Sequence, residues 1–178
     1  RILENAHFLI EREQSCAGRT LWEVAREILS YADVVIGSLC KDFCVDKGGV
    51  IATNDEKLFR RIQSLIQQEG GALNVIEKKL VAFALQKRKH IEAGVVQRMR
   101  AVETIWRALR DEQIPVVRPV GGHCVVIDVK QLPEFANFEH AVASFLAWLY
   151  LNTGIRAGAH SVGMQKNTAI NAQVRLAI

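Results

Sequence analysis

The sequence predicts an α/β protein that contains part of a mixed domain, a connecting helix and a smaller α+β domain. Segments of alternating apolar residues and segments with a 3.6-residue apolar period follow one another between residues 20 and 65. A long helical pattern then covers residues 75–113, and strand, helix and strand patterns follow it. The predicted parts are residues 1–85, 86–113 and 114–178.

The first predicted domain combines helices with two strands. The stretch "TLWE" from Thr20 matches a capping box, and an apolar stripe follows it. Strands are predicted at residues 34–39 and 49–52. A second capping box, "TNDE" from Thr53, predicts a helix that ends near Gly70. Its expected inward residues are Leu58, Phe59, Ile62 and Leu65.

The later elements are predicted from the positions of glycine and proline and from the spacing of apolar residues. Gly94 is the expected break in the long helix, and "IPVVRPVGGHCVVIDV" predicts a bent strand or hairpin. A helix is predicted at residues 138–152, ending at Gly154, with strands at residues 155–162 and 174–178. Since a strand at the last residue would leave an unprotected sheet edge, we expect a piece of a larger chain.

Charge and motifs exclude several classes of function. Residues 86–110 hold seven basic and two acidic side chains, but apolar residues recur there at helical spacing, which favours a solvated helix face over a nucleic-acid surface. No apolar run is long enough to span a bilayer. Four cysteines without paired spacing indicate reduced thiols in a cytoplasmic protein. No HExxH, GxGxxG or Walker motif is present, and the five histidines lack metal-ligand spacing.

Lys41 follows an apolar strand and precedes a double glycine. Ligands of open α/β sheets bind at the carboxyl ends of strands. A lysine that is partly desolvated there loses its proton more easily and becomes a nucleophile. From the strand pattern alone, a lysine that extends its ammonium into water is the simpler interpretation.

An ordered series of segments points to a family. "RILENAHFLIERE", "SYADVVIGSLCKD…GG", "VGGHCVVIDV", "GIRA" and "VRLAI" resemble, in this order, the second half of the β-eliminating lyases, the tryptophanase and tyrosine phenol-lyase family. The resemblance covers essentially the whole chain and implies an internal piece of that half. It implies a pyridoxal-phosphate enzyme of the aspartate aminotransferase fold type (fold type I). The implied reaction is α,β-elimination on an aromatic or related L-amino acid, which releases the leaving group, pyruvate and ammonia.

The resemblance also implies roles for individual residues. Lys41 would bond covalently to the cofactor and later remove the substrate's α-proton, while Ser38 would help to hold the phosphate. Arg175 would bind the substrate α-carboxylate, as a planar bidentate donor can. The remaining implied positions are Arg1 on the phenolic-oxygen side of the cofactor, His160 at the ring-recognition position, His123 near the active site, and Asp46 at a monovalent-cation (potassium) position.

Departures from the family pattern leave a second function open. Cys40 stands where the family has a lysine next to the cofactor lysine, and the loop after "QEG" is several residues shorter. These changes favour a catalytically degenerate member that serves as a structural or subunit-interaction module. The resemblance implies a homo-oligomer, dimer or tetramer, with an amino-acid substrate, and we expect neither a nucleic-acid nor a membrane partner.

Overall fold

The computed structural model of the chain describes residues 2–43, 45–160 and 172–178. These residues fall into two compact units, which lie within residues 1–97 and 98–178. Helices and strands alternate along both units, so the predicted mixed composition of the fold is confirmed.

The first unit contains, in chain order, α1 (Ile2–Arg12), a 3₁₀ turn (Gln14–Cys16), α2 (Leu21–Ser30), β1 (Val34–Ser38), α3 (Leu39–Asp42), β2 (Gly49–Thr53), α4 (Glu56–Glu69) and α5 (Val75–Gln86). Helix α6 (Arg88–Asp111) begins in the first unit and ends in the second. The second unit continues with β3 (Cys124–Asp128), a 3₁₀ turn (Val129–Gln131), α7 (Ala141–Thr153), β4 (Gly158–Ala159) and β5 (Gln173–Ala177).

Helix α2 begins with the predicted capping box. The Thr20 hydroxyl accepts a hydrogen bond from the Glu23 backbone N–H at 3.3 Å, and the Glu23 carboxylate accepts one from the Thr20 N–H at 2.8 Å. Both bonds satisfy donors that a helix start would otherwise leave open. Helix α2 packs against α1 and buries Val24 and Ala25.

Strands β1 and β2 pair antiparallel, with Val34 opposite Thr53 and Ser38 opposite Gly49. The predicted burial of β1 is wrong for the described residues, because the Ile36 side chain is 76% exposed. The physical reason is that this sheet has two strands within the described part of the chain, and a two-stranded ribbon cannot cover its own faces.

Helix α4 starts two residues later than predicted. Asp55 caps it by accepting the Leu58 N–H at 2.9 Å, while the Thr53 hydroxyl accepts the Asp55 N–H at 3.1 Å. Phe59 and Leu65, which were expected to face inward, are about half exposed. Gly70 ends the helix in the left-handed region, at φ 67°, as predicted.

The long helical segment breaks at Lys87 rather than at Gly94. Lys87 has φ −96° and ψ 44°, outside the helical region, whereas Gly94 lies inside α6. A glycine costs a helix interior only about 1 kcal/mol, so a 24-residue helix tolerates it. The predicted amphipathic face is confirmed by the buried residues of α6, which are Ile91, Val95, Met99 and Val102.

The second unit is built on an antiparallel sheet with strand order β3-β5-β4. One sheet face packs on α7, and the shared core contains Ile127, Val129, Ala141, Phe145 and Val174.

Several predicted boundaries of this unit change. The hairpin before β3 is present as one antiparallel bridge between Val116 and Ile127. The helix predicted at residues 138–152 begins at Ala141, and Gly154 ends it as predicted. The strand predicted at residues 155–162 is reduced to β4, and residues 161 and 162 lie outside the described residues. The last strand pairs on both sides, so it is not the unprotected edge that was expected.

Candidate active site

A groove in the first unit lies against α1, α2, β1 and α3. Its volume is about 460 Å³. Trp22 and Phe43 contribute aromatic surface, while Arg26, Ser38 and Lys41 contribute polar groups. Asp42 also lines the groove, which therefore combines apolar walls with a hydroxyl, a guanidinium, an amine and a carboxylate.

Lys41 is carried by α3, which follows β1 without an intervening loop. A helix of four residues is too short to be stable alone, so its position depends on tertiary contacts. Leu39 supplies one, because its side chain is 5% exposed and its N–H donates to the Gly48 carbonyl oxygen at 3.0 Å. Lys41 itself is exposed, in contrast to the desolvated lysine that a buried strand would provide.

Ser38 and Cys40 form a polar pair at the start of α3. The Ser38 Oγ and Cys40 Sγ atoms are 3.0 Å apart and share a hydrogen bond. Both residues are exposed, and Ser38 also lines the groove. A thiol can exchange a weak hydrogen bond with the hydroxyl, but it cannot supply the positive charge of the lysine that the family resemblance implies at this position.

The loop that returns from α3 to β2 is fastened at two points. Gly48 has φ 125°, and a Cβ atom there would approach the Leu73 side chain at 3.2 Å and that of Leu39 at 3.4 Å. Next to it, the Lys47 Nζ atom lies 2.7 Å from Glu77 Oε1 on α5. Asp46 is exposed on the same loop.

Glu77 also completes a capping box, which was not among the predicted ones. Its carboxylate accepts the Asn74 N–H at 2.8 Å, and Asn74 Oδ1 accepts the Glu77 N–H at 2.9 Å. The hydrogen bond from Lys47 and the one from the Asn74 backbone lower the pKa of Glu77. The same carboxylate raises the pKa of the Lys47 ammonium.

In the second unit, Arg175 lies on β5, the central strand. It pairs with Val126 of β3 and with Gly158 of β4. Because side chains alternate across a strand, Arg175 occupies the sheet face opposite the buried Val174. Gly158 leaves open space beside it, since a Cβ atom there would meet no atom within 4 Å.

His160 follows β4 and continues its pairing. Its N–H donates to the Gln173 carbonyl oxygen at 2.9 Å. The alternation of extended backbone places His160 on the same sheet face as Arg175. His123 precedes β3, where its carbonyl oxygen accepts the Ile178 N–H at 3.3 Å. Arg1 lies outside the described residues.

Trp22, Arg26 and the Lys47–Glu77 pair are not predicted by the sequence patterns. Trp22 is adjacent to the predicted apolar stripe of α2, which gave it no role, and its buried Nε1–H finds no hydrogen-bond acceptor within the described residues. Lys47 and Glu77 are separated by thirty positions, so no local pattern links them.

Two kinds of feature are absent from the residues that the structure describes, a metal-binding cluster and a membrane-spanning helix. Within ranges 2–43, 45–160 and 172–178, no three or more His, Cys, Asp or Glu side chains are grouped so that they could hold a metal ion. None of the described helices has the length and apolar character that crossing a membrane requires.

Comparisons with known proteins define the class. Residues 1–175 match the Beta-eliminating lyase family. The chain therefore belongs to this family, which confirms the resemblance in the sequence.

Individual relatives carry two activity names. The chain is 30% identical to a tyrosine phenol-lyase of Clostridium tetani over 99% of its own length and 40% of the relative. It is 32% identical to a probable tryptophanase of Aeropyrum pernix, over 96% of its length and 38% of the relative. It is 35% identical to a tryptophanase of Salinibacter ruber, over 88% of its own length and 34% of the relative. The chain thus spans about two fifths or less of these relatives.

Proposed function

We propose that the protein containing this chain is a pyridoxal-phosphate-dependent lyase, which performs α,β-elimination on an aromatic or related L-amino acid. The observation that carries the proposal is that Lys41 and Ser38 line one groove, in a chain that matches the Beta-eliminating lyase family over residues 1–175. The products would be the leaving group of the side chain, pyruvate and ammonia. Similar identity to a tyrosine phenol-lyase and to tryptophanases supports phenol and indole as the first leaving groups to test.

The donor set of the groove fits pyridoxal phosphate. The aromatic surface of Trp22 and Phe43 suits a flat ring, and the Lys41 amine suits an aldehyde. The Ser38 hydroxyl and the Arg26 guanidinium suit a phosphate. When bound, this cofactor provides an electron sink for the electron pair released at the substrate α-carbon.

Lys41 has two roles in the proposed reaction. Its Nζ would hold the cofactor through a covalent bond, and, once the substrate amine has replaced it in that bond, the freed neutral amine would take the α-proton from the substrate. Both roles require a lowered fraction of ammonium, which burial produces. Since Lys41 is exposed in this chain, we propose that sequence flanking the chain completes its enclosure.

The other residues would bind and orient. Ser38 would donate its hydroxyl to the cofactor phosphate, and Arg1 would lie near the phenolic oxygen. Arg175 would bind the substrate α-carboxylate through its two parallel N–H groups, because β5 presents it on an open sheet face. His160, on the same face, would contact the leaving group, and His123 would lie near the substrate.

We further propose that the protein acts as a homo-oligomer, dimer or tetramer, in the cytoplasm. Asp46 would contribute an oxygen ligand to a potassium ion, since monovalent and divalent hard cations prefer oxygen donors. A test of the cation site is the activity of the protein in potassium salts compared with tetramethylammonium salts.

The experiment that tests the proposed function is an absorbance spectrum of the full-length gene product with added pyridoxal phosphate. We expect a visible band that borohydride bleaches, and we expect Lys41→Ala to abolish it. Lys57→Ala removes an exposed lysine of α4 and serves as the matched control, which should retain the band. Tryptophan and tyrosine would then be assayed for release of indole, phenol and pyruvate.

A folded wild-type protein without this band would contradict the proposal. In that case Cys40, in place of a lysine, would have cost the protein its cofactor, and a structural or subunit-interaction role would replace catalysis.

A further inference from the structure

The position of Lys41 depends on a loop rather than on its own helix. Helix α3 has four residues, and its first N–H, that of Leu39, donates to the Gly48 carbonyl oxygen. Such a short helix has no stability of its own. Any motion of Gly48 is therefore transmitted to the backbone that carries Lys41.

Gly48 is in turn held against the segment that precedes α5. The space where its Cβ atom would stand is closed by the Leu73 and Leu39 side chains, at 3.2 and 3.4 Å. The neighbouring residue, Lys47, forms its ion pair with Glu77 at 2.7 Å. An apolar contact and an ion pair thus fasten the same two segments side by side.

One partner of this ion pair is ordered before the pair forms. Exposed pairs contribute little, partly because two flexible side chains must be ordered to form them. Here the Glu77 carboxylate is already ordered by the Asn74 capping box, and its side chain is only 17% exposed. Only Lys47, whose side chain is 68% exposed, loses freedom when the pair forms.

We propose that Lys47 and Glu77 are positioning residues that hold the turn carrying Lys41 in the geometry that captures the cofactor. The proposal rests on the proposed function, because capture at Lys41 is the event that the pair assists. Capture joins Lys41 Nζ to the cofactor aldehyde carbon with loss of one water. Borohydride then reduces the new carbon–nitrogen double bond to a stable secondary amine.

The test uses the full-length gene product and two measurements. The first is the amide hydrogen exchange of residues 39–48 without cofactor. The second is the rate at which pyridoxal phosphate becomes fixed to the Lys41 peptide after borohydride reduction, followed by mass spectrometry. We expect Lys47→Met to accelerate exchange and to slow capture by about two- to fivefold each, the range that an ion pair of this kind supports.

Three further variants separate the ion pair from other effects. Lys47→Arg retains the charge and should restore both values. Glu77→Gln keeps the capping box, which accepts glutamine at this position, but removes the charge, so it should behave as Lys47→Met does. Arg60→Met breaks the exposed Arg60–Glu56 pair of α4 and should change neither measurement.

The outcomes distinguish this inference from the proposed function. If the wild-type protein captures cofactor and Lys47→Met matches it in both measurements, the positioning role is wrong and the proposed function stands. Equal effects of Lys47→Met and Arg60→Met on the two measurements would also overturn the positioning role. If the folded wild-type protein fixes no cofactor at Lys41, the proposed function fails and the positioning role fails with it.

Discussion

Two glycines of the chain have opposite conformational requirements. Gly48 lies at φ 125°, and an added Cβ atom would press on the Leu73 side chain, at 3.2 Å. Gly94 lies inside α6, with space for a Cβ atom. We expect Gly48→Ala to destabilise the protein by more than about 1 kcal/mol, because alanine adopts this backbone region only with strain. Denaturant unfolding followed by circular dichroism measures the change.

Gly94→Ala is the matched variant, and we expect it to stabilise the protein by about 0.5–1 kcal/mol. Alanine loses less backbone entropy than glycine when a helix forms. Equal free energies of unfolding for the two variants would contradict the conformation assigned to Gly48.

At the scale of elements, the capping box of α2 predicts a pH dependence. The pKa of Glu23 is lowered, first by the hydrogen bond from the Thr20 backbone and then by that from the Thr20 hydroxyl. A carboxyl whose pKa is lower in the folded state stabilises the fold above its unfolded pKa, about 4.3 for Glu. This stabilisation is lost as the pH falls through the lower, folded-state value. We therefore expect wild-type protein and Glu23→Gln to differ in thermal midpoint at pH 6 and to converge in acid.

The control for this prediction is Glu56→Gln. Glu56 lies in the first turn of α4, but Asp55 supplies the cap of that helix, so its replacement leaves the N-terminal hydrogen bonds intact. A difference between wild type and Glu23→Gln that does not change between pH 6 and pH 3 would contradict the role of the carboxylate.

The capping boxes also show which features a sequence can predict. The Thr20 box depends on residues three positions apart, and the structure confirms it. The exposure of β1 was not predictable, because alternation within a strand does not report how many neighbouring strands cover it. The contact between the Lys41 turn and α5 was not predictable either, since β2 and α4 separate Lys47 from Glu77 in the sequence. Lys41 and Ser38 were predicted from family motifs, whereas only the folded structure shows that Trp22 lines the same groove.

At the scale of the whole molecule, the two units are expected to differ in their response to core mutations. Phe145 is 6% exposed in the core of the second unit. Its ring packs edge to face on the ring of Phe135, with 5.3 Å between the ring centroids. We expect Phe145→Ala to cost about 3–5 kcal/mol through the cavity that it leaves. Hydrogen exchange should accelerate in residues 124–160, while α1 and α2 keep their protection.

The control is Phe138→Ala, because Phe138 is 50% exposed and its truncation leaves no enclosed cavity. If Phe145→Ala accelerated exchange in α1 and α2 as much as in α7, the two units would unfold as one, contrary to the prediction.

Because β5 pairs on both sides, the number of residues that precede Arg175 in the chain determines which side chain lies on the open sheet face. Hydrogen-bonded ladders on both flanks fix Arg175 opposite Val126 and Gly158, and Val174 faces the core. One residue inserted directly before Val174 would exchange their sides if the ladders kept their pairing, and would bury a guanidinium beneath α7. Two inserted residues would restore the original parity. The spacing of the chain, as much as the arginine itself, therefore determines what this surface offers to an anion.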